Sequence, residues 1–173
     1  KDISKQMSKD IDEMEKMLND YLQFARTQTQ ENTVAINLEE LFKDISKNFN
    51  NENLNIECKD RINLMGRSSA LKRSFENIIQ NGLTYGQNMW VNIQKTSNRA
   101  LITFDDDGPG IPEDQYKNVF KPFFRLDKSR SLNQSGVGLG LAIVEDIIKS
   151  HGGNIQLGKG QLGGLQVKIS FPF

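Results

Sequence analysis

Apolar residues recur at steps of four and three along residues 2–27. Ile3, Met7, Ile11, Met14, Leu18, Tyr21 and Ala25 form one stripe with Lys, Asp and Glu between them, which predicts a single long helix. The spacing is close to an a/d seam, which needs a partner helix to cover it. A dimeric helical hairpin or bundle is therefore expected, rather than a helix lying on its own domain. The polar stretch Thr27–Asn32 separates this arm from the rest of the chain.

Beyond the linker the periodicity changes repeatedly. Val34–Asn37 is strand-like, and Asn37 is placed to cap a helix with Leu38, Leu41, Phe42, Ile45 and Phe49 on its apolar face. Leu54–Cys58 and Ile62–Met65 predict short strands around a polar turn. Ser68 or Ser69 is the expected cap of a helix that buries Leu71, Phe75, Ile78, Ile79 and Leu83. Strands come next at Trp90–Gln94 and Ala100–Phe104, then a polar segment, Lys121–Ser135. A helix from about Gly138 to Ser150 precedes strands at Asn154–Leu157 and Leu165–Phe171. The pattern predicts a helical arm (1–27), a linker (28–33) and an α/β domain (34–173) whose helices layer on one mixed sheet.

Charge and composition narrow the function. Lys and Arg total 22, as do Asp and Glu, so no global field favours nucleic acid or an anionic membrane. The one cysteine, Cys58, excludes an internal disulfide and a four-cysteine zinc site, and suits a reducing compartment. No apolar run reaches the roughly 18 residues needed to span a bilayer, and no signal-peptide pattern is evident. The chain begins without Met and already in a helical pattern, which points to a piece of something longer.

Three constellations carry candidate chemistry. Asp105-Asp106-Asp107-Gly108-Pro109-Gly110 comes after an apolar strand. Its glycines permit dihedrals closed to other residues and let a flat ligand approach, while a strand-end Asp can accept from an exocyclic amine such as that of adenine. Gly136-Val137-Gly138-Leu139-Gly140-Leu141 runs into a helix, whose free N–H groups and dipole favour phosphate. Asn77 and Asn81, one turn apart, place two amides on one helix face, where an amide oxygen is a hard ligand for Mg²⁺. Taken singly, these are also an acidic surface turn, a hinge before a core helix and a pair of surface amides. The glycine spacing does not match the dinucleotide fingerprint. Gly153–Lys159 imitates a P-loop but has Gly160 where Ser or Thr would hold magnesium, and its interior reads as a strand.

Together these residues resemble the catalytic and ATP-binding domain of sensor histidine kinases, a branch of the superfamily shared with DNA gyrase, heat-shock chaperones and MutL. Glu76–Tyr85 resembles the family's N box, Asp106–Gly110 its G1 box, Phe120–Arg125 its F box and Gly136–Leu141 its G2 box, with Gly163-Gly164 at the last glycine box. Met17–Arg26 resembles the second helix of the dimerisation and histidine-phosphotransfer hairpin. The resemblance implies a Bergerat-type α/β sandwich, with helices on one face of a mixed sheet, preceded by a long N-terminal helix. It also implies transfer of the ATP γ-phosphoryl group to a histidine that this chain lacks, for relay to an OmpR-like response regulator. A homodimer through the hairpin and the cytoplasmic portion of a bacterial inner-membrane sensor are implied with it.

Carried over by residue, Asp106 reads the adenine amine, and Gly108 and Gly110 shape the pocket floor. Asn81 coordinates Mg²⁺, with Asn77 beside it. Tyr85, Gly136, Gly138, Leu139 and Gly140 complete the ATP contacts, the G2 glycines allowing a lid, roughly Val119–Ser135, to close. Lys121 and Arg125 are the cations expected near the γ-phosphate. Three departures matter. Thr84 stands where the family often has Lys or Arg. The one histidine, His151, is expected to cap or turn a helix end rather than accept phosphate. Asn77 occupies the position where ATP-hydrolysing members carry a Glu base, and Glu76, about 100° round the helix, is a poor substitute. The alternatives are a nucleotide-binding module without kinase activity and an ATP-hydrolysing conformational machine of the same superfamily.

Overall fold

The computed structural model describes residues 31–49, 52–126 and 138–173, with scattered positions between Ser4 and Leu22. Those scattered positions lie in helical backbone and expose Met7, Ile11, Met14, Leu18 and Tyr21. The long arm as a whole lies outside the described residues, as does most of the polar segment after the F box.

The chain enters the domain through β1 (Val34–Asn37), which pairs antiparallel with β3 (Asn63–Gly66) in a two-stranded sheet. Between them lie α1 (Leu38–Phe49) and β2 (Leu54–Cys58). The predicted cap of α1 is present, Asn37 Oδ1 accepting the N–H groups of Glu39 (3.0 Å) and Glu40 (3.3 Å). The long helix α2 (Ser68–Tyr85) leads into β4 (Met89–Lys95) and β5 (Arg99–Asp106). After a short 3₁₀ turn at Glu113–Gln115 come α3 (Gly140–Ser150), β6 (Asn154–Lys159) and β7 (Leu165–Pro172). The main sheet has the order β2-β4-β5-β7-β6, with only β2 and β4 parallel.

One face of that sheet carries the core. Met89, Val91 and Ile93 of β4, Ala100, Ile102 and Phe104 of β5, and Val167, Ile169 and Phe171 of β7 alternate inward with period two. They meet the apolar stripes of the three helices. Phe42 of α1 stacks on Phe75 of α2 with ring centroids 5.0 Å apart, and Phe104 of β5 closes the trio at 6.1 and 5.9 Å. This trio seats α2 beside the last turns of β5, where the acidic run begins.

Four expectations are corrected. The expected single sheet is joined by a second, two-stranded one: β2 lies in the large mixed sheet and β3 in the small one. Strand β5 extends through Asp106, because Met89 and Trp90 pair with Asp106 and Asp105 and keep the ladder going. The last helix starts at Gly140 rather than Gly138. Finally, neither Ser68 nor Ser69 caps α2, which has Arg67 at its cap position and no capping bond from that side chain. Glu31 does that work from the linker: its carboxylate accepts the N–H groups of Ser69 (2.7 Å) and Ala70 (3.3 Å). The negative charge also meets the positive end of the helix dipole.

His151 closes α3 as expected. Its Nδ1–H donates to the Ile147 carbonyl (2.6 Å), which leaves Nε2 to accept the N–H of Arg67 (3.0 Å). Burial holds its pKa below the ordinary 6.5; the Ile147 bond opposes that, nearby Arg67 reinforces it and Glu31 opposes it.

This corner can be tested at both of its anchors. Glu31→Ala should cost about 1 kcal/mol, the usual value of a lost helix cap, seen as a lower denaturant midpoint. Protonating His151 removes the acceptor used by Arg67, and its folded pKa lies below its unfolded one. The contribution of His151 to stability is therefore complete above pH 6.5 and lost as pH falls below it. A melting temperature that drops less in His151→Gln than in the parent between pH 7 and 5 would confirm this.

Candidate functional site

The acidic run is split by strand geometry into three different environments. Asp105 points to the open face of the sheet, where Gln166 Nε2 donates to its Oδ1 (2.9 Å). Asp106 points inward and is only 7% exposed. Asp107, past the strand end, accepts from the chain that leaves α2.

The inward carboxylate is the chemical centre of the site. Asp106 Oδ1 accepts the N–H of Gly108 (2.9 Å) and of Leu165 (3.0 Å). Among the described residues no bond ends on Oδ2, which leaves that oxygen for a ligand. Burial pushes the Asp106 pKa up, the two backbone bonds pull it down, and Asp107 and Asp105 add to the rise. A buried carboxylate with one pinned and one open oxygen is a fixed acceptor for an amino group.

Three glycines make room for it. A Cβ on Gly164 would overlap both the Asp106 carbonyl and its Oδ1, and a Cβ on Gly82 would overlap Met89 while touching the Asp106 Cβ at 3.4 Å. Of the two G1 glycines, Gly110 has the left-handed φ of 72°. Gly108 does not, contrary to expectation. It is needed for space, since a Cβ there would lie 3.0 Å from both Asp106 Oδ1 and the Tyr85 carbonyl.

Asn81 precedes Gly82 on α2 and so sits next to this pocket. Its Nδ2 lies 3.8 Å from where a Cβ would stand on Gly140, the first residue of α3. Asn81, Asp106 and the start of α3 are thus brought together, and Leu139, just before α3, is buried. Asn77, one turn earlier, lines a groove with Asn48, Phe49, Glu76, Gln80 and Leu83. Glu76 is turned toward α1, where Asn48 Nδ2 donates to it (2.8 Å). Thr84 donates its hydroxyl to the Gln80 carbonyl (2.6 Å), so it bonds back onto its own helix and adds no cation.

The F box and G2 box meet directly. Phe123 donates its N–H to the Gly138 carbonyl (3.0 Å), and a Cβ on Gly138, whose φ is 77°, would lie 2.7 Å from the Phe124 carbonyl. Lys121 and Arg125 are exposed on this segment, and Lys121 Nζ donates to Asn118 Oδ1 (2.7 Å). Tyr85 is also exposed, at the rim. Gly136 and the lid proper lie outside the described residues. Sequence reasoning missed Gly82, Gly164 and the Leu165 N–H as parts of the pocket. Gly82 and Gly164 fall within boxes that the sequence marked, but their packing against Asp106 comes from distant segments and has no local signal.

A buried acceptor at a strand end, an amide on the adjoining helix and a glycine-opened helix N-terminus define an ATP-binding α/β domain. The chain belongs to the histidine kinase-, DNA gyrase B- and HSP90-like ATPase family, whose model matches residues 66–173. Sensor histidine kinase GtrS of Pseudomonas aeruginosa is 30% identical over 98% of this chain and 36% of its own length. Sensor histidine kinase CpxA of Escherichia coli is 32% identical over 92% of this chain and 37% of its own. The chain thus spans little more than a third of these relatives.

Tyr85-Gly86, Asp105–Ile111, Lys121–Phe123 and Gly163-Gly164-Leu165 resemble the osmosensor kinase EnvZ in particular. The NMR structure of the histidine kinase domain of Escherichia coli EnvZ matches with TM-score 0.64 at 31% identity, over 83% of this chain and 91% of that one. The mycobacterial sensor histidine kinase MprB matches with TM-score 0.70 at 24% identity, over 81% and 97%, and supports the fold alone.

Because burial raises the Asp106 pKa, its charge costs stability at neutral pH, and that cost fades as pH falls through the raised value toward 3.8. Asp106→Asn keeps an Oδ1 for both backbone donors. It should therefore melt at or above the parent at pH 7, with the difference closing near pH 4 in a thermal series.

Proposed function

We propose that this domain is the phosphoryl donor of a two-component sensor kinase: it binds Mg·ATP and passes the γ-phosphoryl group to a histidine on a dimerisation hairpin. One observation carries this reading: Asp106 and Asn81 stand on either side of Gly82, with the N-terminus of α3 against Asn81. That spacing suits adenine at one end and metal-bound phosphates at the other. Asp106 Oδ2 accepts the adenine amine, Gly108 and Gly110 floor the pocket, and Tyr85 and Leu139 flank it. Asn81 offers one hard oxygen to Mg²⁺, with Asn77 nearby. Such a metal takes its remaining ligands from phosphates and water.

The chemistry is in-line displacement. A histidine nitrogen attacks the γ-phosphorus, the N–P bond forms as the bond to the β,γ-bridging oxygen breaks, ADP leaves and the imidazole releases its other N–H proton to solvent. The protein's contribution is positioning and charge neutralisation, with Gly136, Gly138 and Gly140 serving the phosphates and Lys121 and Arg125 as cations to steady the γ-phosphate. Activation of water is disfavoured, since Asn77 cannot take a proton and Glu76 is bonded to Asn48. Phosphotransfer is therefore preferred over an ATP-driven conformational cycle. The intact Asp106 pocket speaks against a module without activity.

The partners that complete the proposal are a second copy of the chain through the arm and an OmpR-like response regulator. The domain would sit on the cytoplasmic side of an inner-membrane sensor. Among the described residues no helix is long and apolar enough to cross a membrane.

The chain should bind Mg·ATP and fail to label itself. Adding a separate hairpin that carries the acceptor histidine should produce acid-labile label on that hairpin. Asp106→Asn should weaken ATP about 10- to 100-fold, the worth of a hydrogen bond to a charged acceptor. Acid-stable label on this chain alone, or no Mg·ATP binding by the parent, would overturn the proposal.

A further inference from the structure

Asp107 is the member of the acidic run with no part in the pocket, yet it is the most heavily bonded of the three. Its Oδ1 accepts the N–H groups of Gln87 (2.7 Å) and Asn88 (2.8 Å), and its Oδ2 accepts Asn88 Nδ2 (2.8 Å). These bonds, Asn88's foremost, hold its carboxyl below the usual range, so it is charged whenever the protein is folded near neutrality. Gly86 lies so close that a Cβ there would stand 2.7 Å from Oδ1. The three residues Gly86-Gln87-Asn88 are the whole connection from α2 to β4, and Gly86 still donates to the Gly82 carbonyl of the helix (2.7 Å).

The location gives these bonds a purpose. Strand pairing fixes β4 against β5, with Met89 opposite Asp106. Nothing in that ladder fixes where the end of α2 stands. Asp107 adds a tie at that end, because it leaves the end of β5 and grips the first residues after the helix. Asn81 and Gly82 lie in the last turns of that helix, and Asp106 is the residue before Asp107.

We propose that Asp107 is a positioning residue: it sets the spacing between Asn81 and Asp106, and so lets the site hold the base and the metal-bound phosphates of one nucleotide together. The inference rests on the Mg·ATP reading of the site. Two anchors act as one only when their separation matches the ligand, so a loosened helix end should leave each anchor intact and remove their joint effect.

The experiment compares two probes on the full chain, adenosine and the Mg²⁺ complex of β,γ-imido-ATP. Adenosine needs the Asp106 end alone. In Asp107→Ala, adenosine affinity should stay within about twofold, while the imido-ATP complex should bind about tenfold more weakly, or ~1.4 kcal/mol. Asp107→Asn keeps an oxygen for the Gln87 and Asn88 N–H groups and should recover most of that loss. Asn88→Ala removes only the side-chain bond and serves if Asp107→Ala does not fold; a smaller loss confined to imido-ATP is expected. Equal weakening of both probes, or no weakening of either, overturns the positioning role while leaving the nucleotide site standing. A parent that binds neither probe defeats the Mg·ATP reading itself.

Discussion

A carboxylate buried at the end of a strand is the constraint on which this domain turns. Asp106 is shielded from water, and a charge so placed must be met by donors. Two backbone N–H groups meet it, one from the adjoining G1 turn and one from the start of β7, nearly sixty residues away in sequence. That single oxygen therefore ties the G1 turn, the final glycine pair and the central strands into one arrangement. Gly164 and Gly82 are consequences of the same constraint, since neither β7 nor α2 could come close enough with a side chain in the way.

The packing beneath serves the same end. Phe42, Phe75 and Phe104 join α1, α2 and β5 through their rings, and Phe104 stands two residues before Asp106 on the same face of the strand. The helix that carries Asn81 is thus seated on the strand that carries Asp106. At its far end the same helix is capped by Glu31 and braced by His151 through Arg67. Glu31, the start of α2 and the end of α3 therefore share one corner of hydrogen bonds.

Much of this was legible in the sequence, and the exceptions have physical reasons. Period-two alternation located every strand of the main sheet, because each buries one face only. The asparagine cap of α1 was visible because its donor and acceptor lie two or three residues apart. The cap of α2 was not, because Glu31 reaches it from the linker and the local serines were the better match to the pattern. The family was readable from the order and spacing of the boxes. The roles of Gly82, Gly164 and Asp107 were hidden because they are defined by what folds against them, and a glycine or an Asp has no local signature for a distant partner. Strand assignment, by contrast, did not disclose pairing: β2 and β3 were both foreseen but joined different sheets.

The three consecutive aspartates are chemically identical and yet not interchangeable. One side chain lies above the sheet, one below it, and one past the end of the strand, so each is addressed by backbone phase rather than by side-chain chemistry. Sliding β5 by a single residue against its neighbours would hand the pocket to Asp105 or Asp107 and strand the others without their donors. The run thus works like a key whose teeth share one shape and differ only in depth. A count of charge in this segment would register no change where the whole site had moved out of phase.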